Sequence, residues 1–424
     1  MTPIPSRTRA QTARAVVASV LGNGLEWFDF VVYGFFASQI AAAVFPTGDP
    51  LVSILATWGA FAVGFLVRPL SGVVFGLYAD RAGRVKALTV MIGLMAVGTL
   101  MVGLTPPASM IGIGAPLMMI AARVLQGLSV GGEYGGATAL LVEYAPKGRR
   151  SLFGSFQMMS QAVSTSLASL AAFSLAALLT REQQGEWGWR IPFILGSLIG
   201  PIGVWIRLRV PESPEFVAAR EAHVAPTQVR REVRPVLTAV GLTVPITLSV
   251  YVWTLYMPGA AARELGLDPT VAPLSTLAAG VALFGLTPLF GALGDRWPVW
   301  RIYPTVMALF AVGTGGLFFW VLAEPSWTRL IVAQLAVAPV IACLWGFSPA
   351  MMAALFPVRA RSTGMAIGYN AAVILFGGLA PFILSWLADR THDPHTPAWY
   401  VVGASAVGLA LLLAGQAGAR QRPS

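Results

Sequence analysis

The chain has 424 residues, of which 56% are hydrophobic and only 11% charged. A soluble protein carries roughly 25% charged residues, so water is not the main solvent of this surface. The net charge of +10 would suit a nucleic-acid partner only if it formed one basic patch on a soluble domain, and it is spread along the chain instead.

Taken in chain order, apolar stretches able to cross a hydrocarbon core of roughly 30 Å predict twelve spans. They lie near 15–45, 51–78, 86–105, 111–145, 151–179, 189–208, 236–257, 271–293, 302–323, 328–355, 363–387 and 398–418. The first follows Arg7, Arg9 and Arg14, but it is longer than a signal-peptide core and lacks a small-residue cleavage site, so it reads as a span. Arg and Lys recur in alternate connections: Arg81, Arg84 and Lys86; Lys147, Arg149 and Arg150; Arg207 to Arg234; Arg296 and Arg301; Arg359 and Arg361; Arg420 and Arg422. That bias places both termini in the cytoplasm. The charged, proline-containing stretch 209–235 reads as a linker between six-span halves at 1–208 and 236–424. Gly76-Leu77-Tyr78-Ala79-Asp80-Arg81 after span 2 returns as Gly291-Ala292-Leu293-Gly294-Asp295-Arg296 after span 8, as duplicated halves require. The expected fold is an all-α membrane protein of two pseudo-symmetric six-helix bundles.

Ionisable side chains within a bilayer cost roughly 2.5 kcal/mol or more at a helix centre, so those retained mark function. Five stand out, all in the first half: Glu26 and Asp29 in span 1, Arg68 in span 2, and Arg123 and Glu133 in span 4. Spans 7–12 offer a cavity only neutral groups such as Tyr251, Tyr256, Gln334, Tyr369 and Asn370. At about 100° per residue, Asn23, Glu26, Asp29 and Tyr33 share one arc of about 120°. Arg123, Gln126 and Glu133 share about 80° of span 4 by the same spacing, beside a stripe of Gly127, Gly131 and Gly135 that admits close helix approach. Three carboxylates against two guanidiniums leave one acid without a fixed cationic partner, which is the requirement for a proton carrier. The bland alternative is a static bracing network, but buried pairs seldom add net stability.

The stretch Ala79-Asp80-Arg81-Ala82-Gly83-Arg84-Val85-Lys86, with its partial copy after span 8, resembles the loop signature of the major facilitator superfamily. Within it, Gly22-Asn23-Gly24-Leu25-Glu26-Trp27-Phe28-Asp29-Phe30, Arg68-Pro69, Arg123-Val124-Leu125-Gln126-Gly127, Gly131-Gly132-Glu133-Tyr134-Gly135-Gly136, Trp187–Phe193 and Gly368-Tyr369-Asn370 resemble the metabolite:proton symporter family. Known members carry citrate, tricarballylate, 2-oxoglutarate, shikimate, or proline and betaine. The second loop departs from the pattern, with Trp297-Pro298-Val299 in place of a Gly-Arg.

The resemblance implies a secondary transporter of a bacterial inner membrane, working as a monomer and taking up a small organic acid with protons. It implies that Asp29 and Arg123 face each other, the arginine governing the proton on the aspartate. Glu26 and Glu133 are the other proton-coupling candidates. Arg68 then lies near Glu26 and Glu133, or stays free for an anionic substrate. Arg68, Arg123, Asn23, Tyr33, Gln126, Tyr369 and Asn370 are the expected substrate contacts. Asp80, Arg81, Arg84, Glu143, Arg149, Asp295 and Arg296 are the expected cytoplasmic latch.

Two rival functions remain. An osmolyte carrier would hold a quaternary ammonium with Trp27, Tyr33, Tyr251, Trp253 and Tyr369, although such carriers often add a C-terminal coiled coil, and this chain stops at Ser424. An exporter would show a Gly-Pro-rich span 5, which 154–178 lacks. No nucleophile–base pair suggests an enzyme and no cofactor is expected. His392 and His395 around Asp393 read as a solvated loop rather than a metal site. Cys343 reads as packing, and Trp187, Trp189 and Trp327 as anchors at the membrane interface.

Overall fold

A computed structural model describes residues 9–82, 84–131, 133–207, 233–268, 270–357 and 361–419. Among them the regular structure is helical, with no strand. Apart from short connecting turns, the helical segments among the described residues group into twelve; the first six are α1 (Arg9–Phe35, continued by Ala37–Val44), α2 (Pro50–Leu66 and Arg68–Ala82), α3 (Arg84–Leu104), α4 (Gly114–Val130 and Glu133–Tyr144), α5 (Arg150–Leu178) and α6 (Ile191–Ser197 and Ile199–Arg207). The second six are α7 (Val233–Leu248, Ser249–Tyr256 and Met257–Glu264), α8 (Ala272–Gly294), α9 (Val299–Ala323), α10 (Trp327–Leu355), α11 (Arg361–Val373, Ile374–Gly378 and Ala380–Thr391) and α12 (Thr396–Ala419). Nine of these are individually long and apolar enough to cross a membrane among the described residues, and α1 is a tenth counted across its 72° bend. The two six-helix bundles of the expected fold are present. The linker expected at 209–235 lies outside the described residues except for 233–235, which open α7.

Local chemistry explains where the helices start and change pitch. Asp49 caps α2, its carboxylate accepting from the Leu51 N–H at 2.8 Å, with Pro50 at the first helical position. Ser326 caps α10 in the same way through the Arg329 N–H. Two stretches, Ser249–Tyr256 and Ile374–Gly378, wind wider than an α-helix, and each lies just ahead of a proline, Pro258 and Pro381. A proline lacks the N–H and its ring crowds the preceding turn, so the turn before it opens. In α7 the Trp253 carbonyl, five residues before Pro258, accepts from Gln334 Nε2 of α10 at 3.2 Å instead.

The glycine stripe of α4 is used at close range. A Cβ on Gly127 would lie 2.1 Å from the Gly64 carbonyl oxygen, and one on Gly131 2.1 Å from that of Arg68, so backbone meets backbone between α4 and α2. Gly135, the third member, meets a different helix across the halves: its Cβ would lie 2.3 Å from the Ser362 oxygen of α11. Elsewhere between the halves, Gly280, Gly291 and Gly294 of α8 lie against Ser166, Ser155 and Ser151 of α5.

Trp189 departs from the sequence reading. It is fully buried, edge-on to Phe193 at 6.2 Å, with the Arg190 guanidinium 4.2 Å from its ring. The single tight turn Gly188–Arg190 rolls it inward beneath the start of α6. Trp187, two residues earlier, is 43% exposed.

Candidate functional site

Glu26 and Asp29 are three residues apart and therefore share a face of α1. Each meets one arginine. Arg68 Nη2 lies 3.2 Å from Glu26 Oε1, and Arg123 Nη1 lies 3.0 Å from Asp29 Oδ2. Both arginines are wholly enclosed and both acids are buried. Aromatic faces support the guanidiniums: Arg68 sits 4.1 Å from the Phe65 ring centre and Arg123 sits 3.8 Å from that of Tyr33. Tyr33 is fixed in turn by donating to the Thr57 carbonyl at 2.9 Å. Arg123 Nη1 also donates to Gln126 Oε1 at 2.6 Å, and Gln126 Nε2 donates to Thr99 Oγ1 at 3.0 Å.

Neither arginine is saturated. Arg68 Nε and Nη1, Arg123 Nε and Nη2, and Asp29 Oδ1 are buried without a hydrogen-bond partner, as is the Tyr251 hydroxyl. Tyr251 of α7 is edge-on to Phe65 at 5.6 Å and Trp27 at 6.1 Å, which brings a second-half residue to the wall beside Arg68. Glu133, at the start of the second stretch of α4, borders a cavity of about 20 Å³ together with Glu26 and Asp29.

The other expected contacts serve packing in this conformation. Asn23 donates to the Gln157 carbonyl at 3.0 Å and to Ser160 Oγ at 2.8 Å, tying α1 to α5. Asn370 donates to the Gly131 carbonyl at 3.0 Å, tying α11 to α4. Tyr369 lies flat against Tyr134, with ring centres 3.6 Å apart and planes 6° from parallel. Tyr134 was not singled out as a contact, although it sits in the glycine-flanked motif of span 4. Phe65 was missed too; its signal is its position three residues before Arg68.

At the end of the bundle that the charge pattern assigns to the cytoplasm, Asp295 and Glu143 make polar contacts between the halves among the described residues. Asp295, at the end of α8, accepts from the Ser151 N–H at 2.7 Å and the Leu152 N–H at 3.1 Å, covering the start of α5. Glu143 of α4 pairs with Arg361 of α11 at 2.8 Å. Arg361 was read only as a loop charge. Arg149 and Arg296 are exposed, and the side chains of Asp80, Arg81 and Arg84 lie outside the described residues. On the opposite end, His395 pairs with Asp393 at 2.9 Å and stacks on Phe319, so that loop is partly packed onto α9. Partly exposed Asp393 accepts from the His395 backbone N–H, which holds its carboxyl below the usual carboxylate range.

Two helical halves, with every buried Arg–carboxylate pair among the described residues in one and an aromatic, neutral face on the other, define a polytopic membrane transporter. The chain belongs to the major facilitator superfamily: the family described as "Sugar (and other) transporter" matches residues 14–238, and "Major Facilitator Superfamily" matches 242–423. It is 33% identical over 411 residues to a citrate-proton symporter of Salmonella typhi, covering 96% of this chain and 94% of the relative. It is 31% identical to a proline/betaine transporter of Salmonella typhimurium, over 93% of this chain and 82% of that one. Among solved structures, the proton:xylose symporter XylE bound to 6-bromo-6-deoxy-D-glucose superposes with a TM-score of 0.79 at 16% identity, covering 96% and 95% of the two chains. At that identity the likeness is one of fold. The family is one of transporters and not of enzymes.

Proposed function

We propose that this chain is a proton-coupled symporter that carries a small organic acid, a di- or tricarboxylate such as citrate, across a bacterial inner membrane by alternating access. The observation that carries the reading is the pair of enclosed arginines, each matched by one carboxylate oxygen and each keeping buried N–H groups without an acceptor. Unmatched buried donors are costly, and a carboxylate is the acceptor that fits a guanidinium best. In this reading Arg68, beside the second half, meets the substrate. Arg123 governs the proton on Asp29, with Glu26 and Glu133 sharing the site. The halves 1–208 and 236–424 rock about the linker 209–235, both termini lie in the cytoplasm, and Asp80, Arg81, Arg84, Glu143, Arg149, Asp295 and Arg296 form the latch of a monomer.

The aromatic wall of Trp27, Phe65 and Tyr251 favours a second reading, a zwitterionic osmolyte held by cation–π contact. The named relatives divide between the same two substrate classes. A thermal-shift panel of organic acids and betaines on the purified protein decides between them, since a ligand at 100 times its Kd adds about 2.7 kcal/mol of stability. Stabilisation by a tricarboxylate and not by betaine is expected; the reverse pattern overturns the organic-acid reading. Citrate uptake by proteoliposomes, driven by an imposed pH gradient, then tests proton coupling.

A further inference from the structure

We infer that the cavity among Glu26, Asp29 and Glu133 holds one water molecule that joins the three carboxylates into a single proton-sharing site, separate from the substrate surface. The proposal rests on the symport reading and deepens it. The cavity volume of about 20 Å³ admits one water, which needs roughly 10–15 Å³ and two to four polar partners. Partners are at hand. Thr99 and Ser129 join the three acids in the wall, and Asp29 Oδ1 is a buried acceptor without a partner while Oδ2 is engaged by Arg123.

The wall comes from α1, α3, α4 and α6, with no residue of α7–α12. The substrate-facing groups, Arg68 and Tyr251, are not part of it. The titratable groups at the cavity are Glu26, Asp29 and Glu133; Arg68 and Arg123 stand behind two of them, and α3 and α6 place no titratable group in the wall. The site sets three carboxyl groups beside two guanidiniums.

A proton arriving at the water makes it a hydronium, which passes a proton to one carboxylate and is water again. The same water takes a proton from one acid and gives it to the next, with no other bond made or broken. A substrate carboxylate that draws Arg68 away from Glu26 leaves that acid without its cation, and the shared proton moves to it through the water. Substrate binding thus changes which acid holds the proton without any contact between substrate and proton.

The test has a readout that needs no substrate. Infrared difference spectra of the purified protein, recorded across the titration of its carboxyl groups in H₂¹⁶O and H₂¹⁸O, should show a bound-water band that shifts with the oxygen isotope. Gly196→Ala should abolish that band: Gly196 lines the cavity, and its added Cβ would sit 3.2 Å from the Phe28 ring and 3.8 Å from the Thr99 methyl. Gly93→Ala on α3, whose Cβ meets nothing within 4 Å, should keep it. In proteoliposomes with labelled citrate, Gly196→Ala should lose accumulation driven by a pH gradient while retaining exchange.

Carboxyl titration in the wild type without an isotope-sensitive water band overturns the inference, and that measurement needs no variant to fold. An unchanged band in Gly196→Ala overturns it equally. Absence of proton-driven citrate accumulation by the wild type, with the water band present, instead overturns the function proposed above.

Discussion

Replacing Gly135 by alanine places a Cβ 2.3 Å from the Ser362 carbonyl oxygen and 3.2 Å from the Ala366 nitrogen. Ordinary heavy-atom contact begins near 3.5 Å, so the first approach is about 1 Å too close. Both opposing atoms are backbone, and no side chain can swing aside. Overpacking of this kind costs about 1–3 kcal/mol. Because α4 and α11 belong to different halves, the cost falls on the conformation in which their cytoplasmic ends meet and is relieved when they part. An equilibrium biased by that amount moves by about 5–150-fold. Gly131→Ala is the contrasting case, since its Cβ would strike the Arg68 oxygen at 2.1 Å inside the first half and penalise every conformation. Spin labels at exposed Lys147 and Arg301, read by pulsed dipolar spectroscopy, should show Gly135→Ala shifted to longer distances. Gly131→Ala should keep the wild-type distribution and a lower melting temperature. A wild-type distance distribution for Gly135→Ala, with the melting temperature lowered instead, would refute the idea that this contact is broken during the cycle.

Asp29→Asn should insert normally and lose accumulation against a gradient while keeping substrate exchange, measured in proteoliposomes under an imposed pH gradient; wild-type accumulation would remove Asp29 from the coupling step. Arg68→Lys keeps the charge but loses the planar fork, and should weaken organic-acid binding by about 1–3 kcal/mol, whereas Arg123→Lys should mainly move the pH dependence of transport. Binding curves for both across a pH series check this, and undiminished affinity in Arg68→Lys would exclude it as the anion contact. Glu143→Gln removes a partly exposed pair with Arg361 and should shift the inward–outward balance by less than about 1 kcal/mol, visible as altered turnover at unchanged ligand affinity.

Span positions were legible because a hydrocarbon core demands long apolar runs, and α5 at 150–178 and α10 at 327–355 fall within a residue of the runs in the sequence. The buried acids and arginines were legible for the same reason, as charge in an apolar run has few structural excuses. Their pairing, Asp29 with Arg123 and Glu26 with Arg68, came from the family resemblance and not from spacing. Helical spacing put Glu26 and Asp29 on one face, but which arginine each meets depends on where α2 and α4 cross α1, which the spacing along one helix does not give. The polar residues Asn23 and Asn370 look alike as cavity groups in the sequence, yet each satisfies a backbone or hydroxyl partner on a neighbouring helix. The partner of Glu143 was hidden too, since Arg361 lies 218 residues away.

The wide turns of α7 and α11 have a kinematic consequence. Each carries surplus backbone relative to α-helical pitch, and the two touch, since a Cβ on Gly377 would come 2.8 Å from the Tyr251 ring. Removing one surplus residue from a turn rotates everything beyond it by about 100° and advances it by about 1.5 Å. Such a segment is a screw with slack in its thread: it can turn one end of α7 against the other for an axial shift of only about 1.5 Å. With Gly377 leaving no side chain to catch on, such a turn would re-aim the aromatic face that Tyr251 and Trp253 belong to.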